Sequence, residues 1–122
     1  MIKRCLLATL WSAVLLLGWS AHAAAHSSLH HSDPAADSTV EASPPVVQLW
    51  FSKGLEPSFS NVTVIDQQGK EVDKGDGAVK GKDAKLLEVS LPSLAAGTYK
   101  VVWRVVATDG HKLKGEYNFT VK

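Results

Sequence analysis

The sequence predicts an all-β fold, a sandwich or small barrel built from short strands. Runs rich in valine, leucine and aromatic residues recur between residues 46 and 121, and several alternate apolar with polar side chains, as half-buried strands do. All five prolines and eight of the nine glycines lie between residues 34 and 115, where they interrupt these runs as turns require. Short strands at this spacing are typical of sandwiches and small barrels.

Five runs can be placed as strands in order along the chain. The first, residues 46–51, is rich in β-branched and aromatic residues, and residues 62–65 are mostly valine and isoleucine. Apolar and polar residues alternate in residues 86–91 and again in residues 117–121. Residues 99–106 combine alternation with two valine pairs, so they form the longest of the five predicted strands.

Most aromatic residues are expected in the core rather than on a surface that stacks carbohydrate. Successive strand residues point to opposite faces, so alternation directs the aromatic set inward. The same rule sends Arg104 to the opposite side from its neighbour Trp103. The Lys-, Asp- and Gly-rich segment from 70 to 83 is expected to be a solvated loop or edge region. The aromatic set is Trp50, Phe51, Phe59, Tyr99, Trp103, Tyr117 and Phe119.

The first 25 residues have the layout of a secretory signal peptide. Lys3 and Arg4 precede an almost wholly apolar run at 5–18, and residues 20–25 are mainly small. A membrane-spanning helix needs about 20 continuous apolar residues, and polar residues at 9 and 12 interrupt this run. We therefore predict that residues 1–25 are removed on export and that residues 26–122 form one domain.

Export changes the composition of the working chain. The 97 residues that remain lose Lys3 and Arg4 but no acid, so the formal net charge falls from +1 to −1. A nucleic-acid-binding protein should show a basic face, and here lysines are mixed with acids throughout, so that class is excluded. Cys5, the only cysteine, leaves with the signal peptide, so the domain has no disulfide and depends on its core for stability.

Residues with metal-binding chemistry concentrate in two places. The stretch AHAAAHSSLHHSDPAAD, residues 21–37, holds four of the five histidines, and TDGHKLKG places Asp109 and His111 two residues apart around Gly110. Positions i and i+2 of a strand share a face, and a bend at Gly110 would let the carboxylate and the imidazole meet one ion. The pair alone is a weak signal, because Asp-Gly is a favoured turn sequence.

Export strengthens the metal hypothesis, because cleavage after Ala25 leaves His26 as the first residue. An N-terminal histidine offers both an amine and an imidazole, and copper(II) favours tetragonal nitrogen and oxygen donors. The small residues also permit cleavage after Ala23. The chain would then begin Ala-Ala-His, and its amine, two backbone amides and the His26 imidazole would chelate copper(II) without Asp109 or His111.

Several segments together resemble one protein family. They are HSSL at 26–29 with SDPA at 32–35, PPVVQLWFS at 44–52, and YKVVWRVVATDGHKLKGEYNFTV at 99–121. This combination is similar to the CopC-type periplasmic copper-binding proteins of bacterial copper resistance and uptake, which include YobA-like members. The resemblance covers nearly all of residues 26–122. It implies a Greek-key, immunoglobulin-like sandwich or barrel of about seven strands that binds and carries or buffers copper without catalysing a reaction.

The resemblance also implies a site and a partner. Carried over by position, the family's single copper(II) site consists of the amine and imidazole of His26, the carboxylate of Asp109 and the imidazole of His111. The implied protein partner is a CopD-type inner-membrane protein, and nothing in the chain demands more than a monomer. The methionine-rich copper(I) site of some members is not expected, because thioethers select that ion and Met1 is the only methionine.

Two other functions stay open at this point. Lytic polysaccharide monooxygenases also hold copper with an N-terminal histidine, but 97 residues leave little room for their substrate-binding surface. A metal-free exported sandwich used in adhesion or assembly is the second alternative. If the first strand begins at Leu29, His30 and His31 point to opposite sides, and each is expected to be a bystander, or at most to act on a ligand, rather than to bind the ion itself.

Overall fold

The computed structural model describes residues 29–122 and confirms the predicted β-sandwich. In these residues two four-stranded sheets pack face to face, with one short 3₁₀ helix, Pro57–Phe59, between strands. The described part has eight strands, where the resemblance implies about seven, and β2 and β5 are too short to leave a sequence pattern. The strands are β1 (Leu29–Asp33), β2 (Thr39–Val40), β3 (Val46–Phe51), β4 (Asn61–Ile65), β5 (Ala78–Lys80), β6 (Leu86–Ser90), β7 (Gly97–Val106) and β8 (Lys112–Val121).

The strand order is β1-β3-β6-β5 in the first sheet and β2-β8-β7-β4 in the second. Neighbouring strands are antiparallel except for the short parallel pair β2 and β8. The longest ladder joins β7 to β8, from Gly97 opposite Val121 to Val106 opposite Lys112. This ladder therefore ends in a turn at one end of the sandwich. The Greek-key connection stays a prediction.

The core lies between the sheets and follows the alternation of the sequence. Every second residue of β3, β6 and β7 is buried, and the side chains between them are half-buried or exposed. Arg104 is exposed and Trp103 buried, as the alternation predicts. The aromatic side chains of the core are Phe51, Tyr99, Trp103, Tyr117 and Phe119.

Two aromatic residues depart from the predicted core placement. Trp50 lies between the inward-facing Leu49 and Phe51, so it occupies the outer face of the first sheet and is only half-buried. Phe59 is 70% exposed. It belongs to the 3₁₀ helix and not to a strand, so no alternation directs it inward, and its prediction as a core residue is wrong.

The segment from 70 to 83 is the edge region that its composition indicates. It contains the short edge strand β5, and two of its acids hold neighbouring backbone groups. The Val64 amide donates to Asp73 Oδ2 at 2.8 Å, and the Ser90 amide donates to Asp76 Oδ1 at 2.8 Å. The hydrogen bonds from Ser90 lower the pKa of the Asp76 carboxyl.

Residues 1–25, predicted to be a signal peptide, and the predicted ligand His26 lie outside the described residues. The domain boundary after residue 25 therefore stays a prediction. Between residues 29 and 122, no helix has the length and apolar character needed to span a membrane.

Candidate metal centre

Asp109 and His111 lie in the turn that joins β7 to β8. The Gly110 amide donates to the Ala107 carbonyl at 2.8 Å, and the Ala107 amide donates to the His111 carbonyl at 2.9 Å. Gly110 has a φ of +89°, a left-handed conformation that glycine adopts without steric cost. The bend predicted at this glycine is present, and it brings the two flanking side chains together.

The carboxylate of Asp109 is held by donors on both of its oxygens. His111 Nδ1 lies 3.0 Å from Oδ1, and the His111 amide donates to the same oxygen at 3.1 Å. Lys53 Nζ donates to Oδ2 at 2.7 Å. The Lys53 ammonium, followed by the hydrogen bonds from His111, holds the pKa of the Asp109 carboxyl well below its usual range. Asp109 is therefore anionic throughout the physiological pH range and suited to binding a cation.

The pair is open to solvent, as a site that exchanges an ion must be. The side chain of Asp109 is 39% exposed and that of His111 is 72% exposed. With Nδ1 directed at Asp109, the carboxylate and one ring nitrogen of His111 already lie side by side. A carboxylate that contacts a ring nitrogen in this way also fixes the orientation of the imidazole.

Lys53 is a member of this group that the sequence reasoning did not identify. It is 56 residues distant from Asp109 along the chain, and an isolated lysine carries no signal of such a contact. Backbone pairing creates it, because Leu55 bridges to Ala107 and the Thr108 amide donates to the Gly54 carbonyl at 2.9 Å. The loop after β3 is thereby fixed beside the β7–β8 turn.

The described chain begins at the same end of the sandwich. Leu29 opens β1 opposite Phe51, the last residue of β3, and Lys53 follows two residues later. His26 precedes Leu29 by three residues, which in an extended chain span at most about 10 Å. β1 thus begins at the end of the sandwich that carries Asp109 and His111.

His30 and His31 lie on β1, and both are exposed. The register of β1 against β3 shifts between Leu29 and His31, so alternation alone does not decide on which side His30 lies, and the placement of the two histidines on opposite faces stays a prediction. His31 pairs with Trp50 on the outer face, with the ring centroids 5.0 Å apart. Within residues 29–122, no hydrogen bond or ion pair joins either histidine to the Asp109 and His111 pair.

Asp109 and His111 supply two donor side chains in the described part of the chain. In residues 29–122, no three histidine, cysteine, aspartate or glutamate side chains are grouped so that they could hold a metal ion. A copper(II) site with four equatorial donors would need further ligands besides these two, and the predicted ones come from His26.

Comparison with known proteins gives concordant matches. A model of the CopC domain matches residues 29–122. Protein YobA of Escherichia coli strain K12 is 41% identical over 99 residues, covering 80% of each chain. Copper resistance protein C of Pseudomonas syringae pv. tomato is 36% identical over 128 residues, covering 100% of this chain and 99% of the relative. The crystal structure of CopC from Methylosinus trichosporium OB3b is similar with a TM-score of 0.69 at 38% identity, covering 77% of this chain and 91% of that one.

Proposed function

Since the chain belongs to the CopC family, whose members are copper-binding proteins of copper resistance, we propose that it carries or buffers copper(II) in the periplasm. One ion binds per chain. The ligands are the amine and imidazole of His26, the carboxylate of Asp109 and the imidazole of His111. This set offers three nitrogens and one oxygen, which suits the tetragonal preference of copper(II).

The observation that supports this proposal is the contact between Asp109 and His111 at the end of the sandwich where β1 begins. Their side chains meet within 3.0 Å across Gly110, so little rearrangement is needed for both to reach one ion. His26 lies within three residues of Leu29, which pairs with the end of β3. The short tether gives an N-terminal ligand a high effective concentration at the turn.

Lys53 gives the site a defined metal-free state. Its ammonium lies 2.7 Å from Asp109 Oδ2 and balances the carboxylate charge in the absence of an ion. A copper(II) ion that binds Asp109 competes with this ammonium for the same oxygen. Binding therefore exchanges an exposed ion pair for a coordinate bond, and release of copper allows the pair to form again.

The names of the relatives favour a carrier over an enzyme, since they are copper resistance proteins. In residues 29–122, no feature favours the monooxygenase or the metal-free alternative over the carrier. We propose further that the chain is exported after cleavage behind Ala25 and acts as a monomer. A CopD-type membrane protein, the partner expected from the family resemblance, exchanges copper with it.

The first experiment combines intact-mass spectrometry of the exported protein with copper(II) titration followed by electron paramagnetic resonance. We expect a chain that begins at His26 and takes one copper(II) ion. His111→Ala and Asp109→Ala should each weaken binding by at least about tenfold, since each removes one equatorial donor. His30→Ala, the matched control on β1, should leave affinity and spectrum unchanged.

Two results would contradict the proposal. A chain that begins at Ala24 and whose copper spectrum ignores Asp109→Ala and His111→Ala would mean that the Ala-Ala-His sequence is the chelator. Failure of correctly processed protein to bind copper(II) would instead favour a metal-free structural role.

A further inference from the structure

Phe59 makes one patch of the surface different from the rest of the described chain. It is the only large hydrophobic side chain in residues 29–122 that is exposed, at 70%. The backbone around it is well held, because the Glu56 amide donates to the Val106 carbonyl at 2.8 Å and the Val106 amide donates to Ser60 Oγ at 3.2 Å. The backbone that carries the ring is therefore held beside the end of β7 and is not part of a loose loop.

Three cations on the outer face of the second sheet line the same groove as this ring. Arg104 lies directly opposite Lys114 in the β7–β8 ladder, and Lys112 lies opposite Val106. In the described part of the chain, none of the three cations forms an ion pair. Further along the same ladder, Lys100 does have an acid partner, Glu116, at 3.8 Å.

The fold does not account for this charge arrangement. Like charges directly opposite each other in a ladder destabilise the pairing of the strands, and Arg104 with Lys114 is such a pair. An anion that covers both would relieve this repulsion. Glu56 is half-buried at the start of the 3₁₀ helix. Even if its carboxylate is counted with the patch, the patch has three positive charges and one negative charge.

The apolar part of the patch is a shallow groove of about 340 Å³. Phe59 forms one side, the half-buried Val106 and Leu113 contribute apolar surface, and the cations line the rest. An exposed aromatic ring bordered by basic side chains matches the interface of a lipid bilayer, where apolar groups enter the acyl boundary and cations meet the headgroups. The long stems of lysine and arginine let their charges reach the headgroups while the stems cover apolar surface.

We propose that this patch, formed by Phe59, Arg104, Lys112 and Lys114, binds the surface of an anionic membrane. Charge complementarity argues for an anionic partner, since the patch has unpaired cations and the membrane has negative headgroups. The combination of an exposed aromatic ring with long basic side chains favours a lipid surface, where buried apolar area and attraction to anionic lipids act together.

Membrane binding would place the candidate copper site beside the lipid surface. Lys112 follows His111 directly, and the β7–β8 turn continues from the two strands that carry the cations. An acceptor embedded in the membrane could then take copper from the turn. This consequence rests on the proposed copper function, but the binding to lipid does not.

The test measures sedimentation of the copper-free mature chain with vesicles of equal parts phosphatidylglycerol and phosphatidylcholine. We expect binding to these vesicles at low salt, none to pure phosphatidylcholine, and loss at high salt because screening weakens the attraction. The double variant Arg104→Glu with Lys114→Glu should lower the partition coefficient by at least about twentyfold. Phe59→Ser should lower it by about fivefold.

The matched control is Lys70→Glu with Lys74→Glu, two exposed lysines beyond the other end of β4. It makes the same change in net charge and should keep most of the binding. Phe59→Trp tests the geometry, because brominated lipid should quench the fluorescence of a tryptophan that enters the bilayer. Thermal melts of every variant show whether the fold is retained.

Either of two results would overturn the proposal. If the wild-type chain does not bind the anionic vesicles, an acidic protein becomes the expected occupant of the patch. If the patch variants and the Lys70/Lys74 control lose binding equally, binding to the vesicles depends on the net charge of the chain and not on this patch. Copper titration of the same samples is read separately, so loss of membrane binding cannot be confused with failure of the copper site.

Discussion

Gly115→Ala should strongly destabilise the domain, because glycine is required where β8 crosses the buried Trp103. Gly115 lies directly opposite Trp103 in the β7–β8 ladder. A Cβ atom added at Gly115 would overlap the six-membered ring of the indole. That ring is fully buried and is flanked by Phe51 and Tyr117, at centroid distances of 6.3 and 6.2 Å, so it has no free space to move into.

The expected loss of unfolding free energy follows from the cost of overpacking. Extra methyl groups in a packed core cost about 1–3 kcal/mol, and a clash with a rigid ring favours the upper end. Alanine regains about 0.5–1 kcal/mol over glycine in a strand, which leaves a net loss of about 2 kcal/mol. For a domain of this size, about 2 kcal/mol lowers Tm by roughly 8–16 °C.

Thermal unfolding of the mature chain, followed by circular dichroism and calorimetry, measures this effect. Lys112→Ala is the control on the same strand, and as an exposed substitution it should change stability by less than about 0.5 kcal/mol. Trp103→Phe provides a second check, because the smaller ring makes room for the new methyl group. In that background Gly115→Ala should cost less, with a coupling of at least about 1 kcal/mol. Equal melting of Gly115→Ala and wild type, or strict additivity with Trp103→Phe, would refute the reasoning.

Four further outcomes are expected. Copper(II) affinity should fall as the pH drops from about 8 to 5, because amine and imidazole ligands gain protons while the lowered pKa keeps Asp109 ionised. Competition titration at each pH measures this affinity. An affinity that does not change with pH would exclude nitrogen ligands. Lys53→Met should raise copper affinity by up to about fivefold, the value of an exposed ion pair, whereas Lys70→Met should not. An additional methionine before His26 should weaken binding and change the paramagnetic spectrum, and an unchanged spectrum would exclude the amine as a ligand. Burial raises the pKa of the Tyr117 phenol above that of the unfolded chain, so folding favours the protonated phenol. The free energy of unfolding should therefore fall as the pH rises above about 10. Thermal melts of Tyr117→Phe at alkaline pH should show a smaller loss of stability than those of the wild type.

Much of the fold could be predicted from local pattern. Alternation was sufficient to assign most of β7 and the second half of β8, and to place Trp103 in the core and Arg104 outside, because a strand has a side-chain period of two. The pattern failed where no period exists. Phe59 lies in a 3₁₀ helix, so the residues around it do not specify on which side its ring lies.

The candidate site could also be predicted in part, from residues that are close in sequence. Asp109 and His111 were identifiable because they are two residues apart around a glycine, so a local bend is enough to bring them together. Their contact with Lys53 depends on pairing across 56 residues, and the unpaired cations beside Phe59 depend on the register of β7 against β8. Composition shows that lysines and acids are present in nearly equal number, but only the packed strands determine which charges meet a partner and which face solvent together.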